Sequence, residues 1–249
     1  MRIAVAGGTG TLGSLVCAEL GRRGHEIRVL SRRSPDYPVD LTSGRGLDKA
    51  LDGCAAVIDA SNASSPKRAA QVLVDGSRHL LAAGQRAGIG HHVCISIVGC
   101  ERLPVGYYRV KTEQEQVVES GPVPWSIVRA TQFHELAATA LGAAGRYHVL
   151  PVPRMTLQTV AAAEVARLVA DVTQSGPRGR VQITGPQILT ARQLATTWRS
   201  VTGTRAVLLL VPLPGKVGRA LRDGALTSTD TDERGVVPFA DWLEARQHQ

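Results

Sequence analysis

Aromatic side chains are scarce in this sequence, at 4% of 249 residues, so its core must rest on Val, Leu, Ile and Ala. Long apolar runs are missing too. The longest, Ala206 to Val211, falls far short of the roughly 18 residues that a membrane-spanning helix requires, and no membrane role is expected. A charge precedes the first apolar residues, as in a secretory leader. That stretch is too short for an h-region and runs straight into a glycine turn. With no targeting segment in view, the expected location is the cytoplasm. Cysteine is sparse: Cys17, Cys54, Cys94 and Cys100 show no CxxC spacing, and reduced cysteines are expected rather than a disulfide or a structural zinc. The adjacent pair His91–His92 cannot easily bring both rings to one metal, so no metal site is expected either. The net charge of +8 comes almost wholly from arginine, scattered singly or in pairs with no long basic run. That pattern speaks for a basic surface plus a phosphate site and against nucleic acid.

What the sequence does have is alternation. Apolar runs at Arg2–Ala6, Glu26–Leu30, Tyr37–Leu41, Ala55–Ala60, His92–Val98 and Trp125–Ala130 read as strands. Between them, Leu12–Arg23, Leu47–Leu51, Lys67–Ala87 and Tyr107–Ser120 read as helices. Short runs buried on both faces and separated by helices predict an α/β fold, a doubly wound parallel Rossmann sheet. After Thr131 the pattern changes to an alanine-rich helix (Glu135–Ala144), a Pro-flanked segment (Pro151, Pro153) and a helix over Ala161–Val172. A strand over Arg180–Thr184 follows, then a helix that Thr190 could cap and an amphipathic end around Trp242 and Leu243. The expected division is a cofactor-binding core over residues 1–134 and a small C-terminal substrate lobe over 135–249. That lobe is expected to pack on the core rather than stand alone; monomer and homodimer are both left open.

The first strand ends in Gly7-Gly8-Thr9-Gly10-Thr11-Leu12-Gly13. At a strand-to-helix junction, Gly7 allows the tight turn, Gly10 lets the backbone approach a pyrophosphate, and Gly13 lets helix and strand pack closely. The helix N-terminus then offers free N–H groups and its positive dipole end to phosphate. The end of the second strand selects the dinucleotide. NAD-specific folds carry Asp or Glu there for the ribose 2′-hydroxyl, whereas this chain has Ser31-Arg32-Arg33. A hydroxyl and two guanidinium groups suit a 2′-phosphate through charge-assisted hydrogen bonds. The expected cofactor is therefore NADP(H). At the end of the fourth strand, Asp59-Ala60-Ser61-Asn62 is small enough for a nucleotide to pass.

Tyr107 and Lys111 stand four apart, on one face of a helix. Hydride transfer to a carbonyl needs a proton donor, and a tyrosine beside an ammonium can serve. Ser96, on the preceding strand, could hydrogen-bond the carbonyl. Arg129-Ala130-Thr131-Gln132-Phe133-His134 closes the sixth strand, where His134 could face substrate.

Taken with Val-Leu-Ser-Arg-Arg, Ile-Ser-Ile-Val-Gly, Tyr-Tyr-Arg-Val-Lys and Arg-Ala-Thr-Gln-Phe-His, the glycine turn resembles the atypical short-chain dehydrogenase/reductases of the NmrA-like NAD(P)H-binding branch. The resemblance implies a Rossmann core with a small C-terminal substrate lobe. It also implies cofactor contacts from Thr9, Gly10, Thr11, Leu12, Arg32, Ser61, Ser96, Lys111, Thr131, Gln132 and Phe133. One departure stands out. Tyr107 lies 11 and Tyr108 12 residues after Ser96, closer than is usual in such reductases, and the Cys100–Gly106 loop could absorb the difference. Relatives in this branch often keep the lysine and lose the tyrosine. Three functions are therefore expected to compete. The leading one is an NADPH-dependent oxidoreductase reducing a small to medium apolar carbonyl, enone or quinone. The others are a cofactor-sensing regulator without catalysis and a non-redox isomerase or dehydratase on the same scaffold.

Overall fold

The computed structural model describes residues 1–63, 66–145 and 148–247, without the side chains of Pro66 and Lys67. The chain divides into two compact units. One holds residues 1–96, 104–129 and 165–181; the other holds residues 97–103, 130–164 and 182–249.

The first unit opens with β1 (Arg2–Ala6), α1 (Thr11–Arg22) and β2 (Glu26–Leu30). Next come α2 (Leu47–Leu51), β3 (Ala56–Asp59) and a long helix built of α3 (Pro66–Ala69), a π-helical stretch (Ala70–Asp75) and α4 (Gly76–Arg86). It continues through β4 (His91–Ile97), α5 (Gly106–Glu119) and β5 (Trp125–Ala130). The strands join a seven-stranded sheet in the order β12-β9-β5-β4-β3-β1-β2, with β9 at Gly179–Thr184 and β12 at Glu233–Arg234. Pairs β1–β2, β1–β3 and β3–β4 are parallel. The Rossmann-type α/β expectation is borne out. The chain passes from β1 to one side and returns on the other, so the reversal of strand order falls beside the end of β1, where ligands of such sheets collect. Leu30, Val57, Leu80 and Ile127 lie in the core of this unit, each with 2% exposure or less. A buried pair, Arg129–Glu115, ties α5 to β5.

The segment Tyr37–Leu41, expected as a strand, is not one. It makes only isolated bridges, Ser31 with Pro38 and Asp40 with Arg45. Pro38 has no N–H to continue a ladder, and the contact is carried by Val39 N donating to Ser31 O at 3.0 Å. The long helix is also not uniform, since the π stretch widens it in mid-course. Gly76 lets α4 come close to this same segment, because a Cβ there would meet Leu41 Cβ at 3.2 Å. His79 Nδ1 donates to Leu41 O at 2.7 Å.

The second unit contains β6 (Gln132–Phe133), α6 (His134–Gly145), β7 (Val149–Pro153), β8 (Thr156–Val160), β10 (Ile188–Thr190), α8 (Ala191–Thr202), β11 (Val207–Val211), α9 (Gly215–Arg222) and α10 (Phe239–Gln247). A three-stranded sheet runs β10-β8-β6, and β7 pairs in parallel with β11. Leu150, Leu194, Trp198, Phe239 and Leu243 form its core. Thr190 caps α8 as expected, in a capping box with Gln193. The remaining helix, α7 (Ala162–Ser175), lies mostly in the first unit. No helix among the described residues is long and apolar enough to cross a membrane, and no disulfide joins any of the four cysteines.

Candidate functional site

The glycine turn is built by close backbone approach. Gly7 leaves β1 at φ +73°, and a Cβ on it would meet Ala60 O at 2.5 Å and Ser61 Cα at 2.8 Å. A side chain on Gly13 would drive into Gly7 O and stand 2.8 Å from Gly8 Cα. Gly10, by contrast, would place a Cβ no closer than 3.3 Å to any neighbour, and its φ is −82°. Its side is open to a ligand. No side chain caps α1, so the first N–H groups of the helix stay available for phosphate. Gly8 has a packing role that the motif does not state: a Cβ there would press on Cys17 Sγ and Val29 Cγ1, both at 3.1 Å. Burial pushes the Cys17 thiol up to about 11, so it is held protonated beneath the turn.

A cavity of about 210 Å³ opens beside this turn. Its wall takes Gly7 and Thr9 from the turn, Leu30, Ser31 and Arg32 from the end of β2, and Ser61, Asn62 and Ala63 from the end of β3. Val39 to Thr42 and, from the long helix, Arg68 and Val72 complete it. Of the residues expected to hold cofactor, Gly7, Thr9, Ser31, Arg32 and Ser61 therefore meet at one cavity. Gly10, Thr11, Leu12 and Gly13 continue the chain from its wall, while Arg33 and Ala60 do not line it. Arg32 is exposed, and among the described residues it makes no ion pair or side-chain hydrogen bond. Its charge is felt by Asp40, whose carboxyl lies below the usual range. The main cause is the Thr42 hydroxyl, which donates to Asp40 Oδ1 at 2.7 Å; the Thr42 N–H and the charges of Arg32 and Arg45 add to it.

Lys111 is buried at 4% exposure, and its ammonium donates to Ile95 O and Gln114 Oε1, each at 2.8 Å. The Ile95 carbonyl lies one residue before Ser96, which is itself 3% exposed. Tyr107 packs against the cluster of Ala69, Leu73, Val74 and Val110. Its hydroxyl donates to Asn62 Oδ1 at 2.8 Å, tying it to the cavity wall.

The other expected site residues, Thr131, Gln132, Phe133 and His134, belong to the second unit. His134 is fully buried, donates from Nε2 to Val237 O at 3.0 Å and accepts at Nδ1 from Thr159 Oγ1 at 2.9 Å. Its ring lies 5.4 Å from Phe239 and 5.5 Å from Trp242. Both nitrogens are engaged, which leaves none for the substrate-facing role expected of it. Thr131 Oγ1 accepts from Gly185 N at 3.0 Å.

Sequence reasoning missed Asp40, Thr42, Arg68 and Val72. Asp40 and Thr42 carry a readable signal, since an Asp followed two residues on by Thr can close an Asx turn. Arg68 and Val72 carry none; they reach the wall from α3 and from the π stretch of the long helix.

The chain belongs to the NAD(P)H-binding family, whose pattern it matches over residues 7–175. The NAD(P)H-binding part of the expected resemblance is borne out. A (4-alkanoyl-5-oxo-2,5-dihydrofuran-3-yl)methyl phosphate reductase from Streptomyces griseus subsp. griseus is 28% identical, over 98% of this chain and 93% of its own. The photosystem II assembly factor Ycf39 of Synechocystis sp. is 26% identical, over 86% of this chain and 71% of its own. Among solved structures, the Escherichia coli NADPH-dependent quinone oxidoreductase QOR2 in complex with NADPH has a TM-score of 0.80 at 16% identity, covering 99% of this chain and 100% of its own. The UDP-glucose 4-epimerase of Thermotoga maritima reaches 0.81 at 17% identity, covering 98% and 96%. These two share the fold.

Proposed function

We propose that the protein is an NADPH-dependent oxidoreductase that reduces a small to medium apolar carbonyl, enone or quinone. The observation that carries the reading is the cavity beside the glycine turn, with Ser31 and an otherwise unpaired Arg32 in its wall. A basic, hydroxyl-bearing strand end suits a 2′-phosphate, and the absence of Asp or Glu at that position removes the usual ribose acceptor of NAD sites. The bare turn at Gly10 and the uncapped start of α1 accommodate a pyrophosphate. Similarity to a reductase along almost the whole chain supports the redox assignment.

When bound, NADPH supplies the hydride. Lys111 holds the nicotinamide ribose, Ser96 polarises the substrate carbonyl, and Tyr107 gives the proton to the forming alkoxide once substrate displaces its bond to Asn62. Substrate enters as a small molecule. Non-redox chemistry on the same scaffold has no comparable support in the residues of the site. A cofactor-binding regulator is the second reading, and it is favoured by the engagement of the Tyr107 hydroxyl with Asn62.

The two separate in one experiment, NADPH oxidation followed at its absorbance band across a panel of quinones, enones and aldehydes. The expected result is turnover that Tyr107→Phe lowers at least ~100-fold while NADPH still binds. Tight NADPH binding with no turnover on any acceptor would assign the regulator instead.

A further inference from the structure

A buried chain of polar contacts runs from Lys111 back to the end of β3. Gln114 Oε1 accepts from Lys111, while Gln114 Nε2 donates to Asp59 Oδ2 at 3.1 Å and to Ser77 Oγ at 3.0 Å. Ser77 Oγ donates to Asp59 Oδ2 at 2.8 Å, and Asp59 Oδ1 accepts from Ser61 N at 3.1 Å. None of Asp59, Ser77, Lys111 and Gln114 exceeds 4% exposure. Among the described residues, no carboxylate forms an ion pair with Lys111. Its nearest counter-charge along this chain of contacts is Asp59, reached across one amide.

The chemistry fixes which way that amide lies. An ammonium can only donate and a carboxylate can only accept, so the carbonyl end must face Lys111 and the NH₂ end Asp59. A glutamine is thus the one common side chain of this length that satisfies both charges at once. Glutamate would set a second carboxylate against Asp59, and an apolar residue would strand a buried cation and a buried anion, each needing a partner.

We propose that Gln114 is a positioning residue for Lys111. With Ser77 and Asp59 it fixes the ammonium against the Ile95 carbonyl and links it to the Ser61 backbone in the cavity wall. The proposal rests on the reading of Lys111 as a cofactor-holding residue, and the test keeps the two apart. Two readouts serve on the full chain: the NADPH dissociation constant from fluorescence titration, and the ¹H–¹⁵Nζ ammonium signal. With only four lysines in the sequence, the Lys111 signal can be assigned from its disappearance in Lys111→Met.

Gln114→Met and Gln114→Glu are each expected to weaken NADPH binding about tenfold and to broaden the Lys111 signal. Adding Asp59→Asn to Gln114→Glu moves the carboxylate next to the lysine while keeping the hydrogen-bond count. It is expected to restore affinity to within about threefold of the parent and to sharpen the signal again. If Gln114→Met does not fold, the Glu single and the Asn–Glu double carry the comparison. A folded Gln114→Met with parental affinity and a sharp signal, or a double variant no better than Gln114→Glu, overturns the proposal. If Lys111→Met binds NADPH as the parent does, the role of Lys111 itself fails, while the ammonium signal still decides whether Gln114 orders it.

Discussion

Buried polar groups are used differently in the two units. In the second unit His134 and Gln158 are satisfied within the unit, whereas the Gln132 amide and the Thr184 hydroxyl find no partner among the described residues. Gln158, with no exposure, donates to Gly185 O and accepts from Ser228 N, each at 2.9 Å, and both nitrogens of His134 are bonded within the same unit. In the first unit, polar groups at the ends of β1, β2 and β3 are left facing a cavity, and the buried network behind them terminates at Ser61 in its wall. Polar side chains that complete each other hold a fold together; those left open toward a space are available to a ligand. Substitutions in the first set should therefore cost stability alone, and substitutions at the cavity should cost cofactor affinity.

The largest effect that would break this comparison comes from Gly13. Gly13→Val places a branched side chain against the Gly7 carbonyl, so NADPH binding should be lost beyond detection and the melting temperature should fall. Retained binding in fluorescence titration would show that the turn does not cradle the cofactor.

Acid sensitivity should also come from the first unit. His92 is fully buried in β4, and neither ring nitrogen finds a hydrogen-bond partner among the described residues. Burial pushes it down to about 4, partly offset by Asp59. The folded pKa is depressed, so no penalty exists above about 6.5. As pH falls below that, the unfolded chain takes the proton and the folded one does not. Stability should drop by about 3 kcal/mol between pH 6.5 and 4. Urea titrations across that range should show the slope, and His92→Phe should reduce it, leaving the part due to His91 and His134, which burial also pushes down.

Gln158→Leu sharpens the contrast from the other side. It leaves the buried Gly185 carbonyl and the half-buried Ser228 N–H without these partners, at a cost of roughly 1–3 kcal/mol, and NADPH affinity should stay within about twofold of the parent. The smallest effect belongs to Thr190→Ala, which removes the α8 cap for about 1 kcal/mol in chemical denaturation and should leave binding unmoved.

The same contrast governs what was readable beforehand. The Gly7–Gly13 turn, the strand ends and the Thr190 cap are local: a few adjacent residues dictate a conformation, and the pattern survives in the sequence. Tyr37–Leu41 misled because its apolar character reads as strand while Pro38 interrupts the ladder. The short β6 and the β8 strand escaped notice because their pairing partners, not their own periodicity, define them. Gln114 was invisible for the same reason, since Asp59 lies 55 residues away. His134 was misjudged because its place just after β5 suggested a ligand edge, whereas its ring is taken up by Thr159, Val237 and the Phe239–Trp242 pair.

The account stands on Arg32 facing the cavity. The most direct measurement is the affinity of the parent and of Arg32→Ala for NADPH and for NADH, taken side by side at one ionic strength. The expected outcome is a parent that prefers NADPH and a variant whose NADPH affinity falls about 10- to 100-fold, the loss of one charge-assisted hydrogen-bond set, with NADH binding nearly unchanged. An unaltered preference, or an equal fall for both dinucleotides, would contradict it.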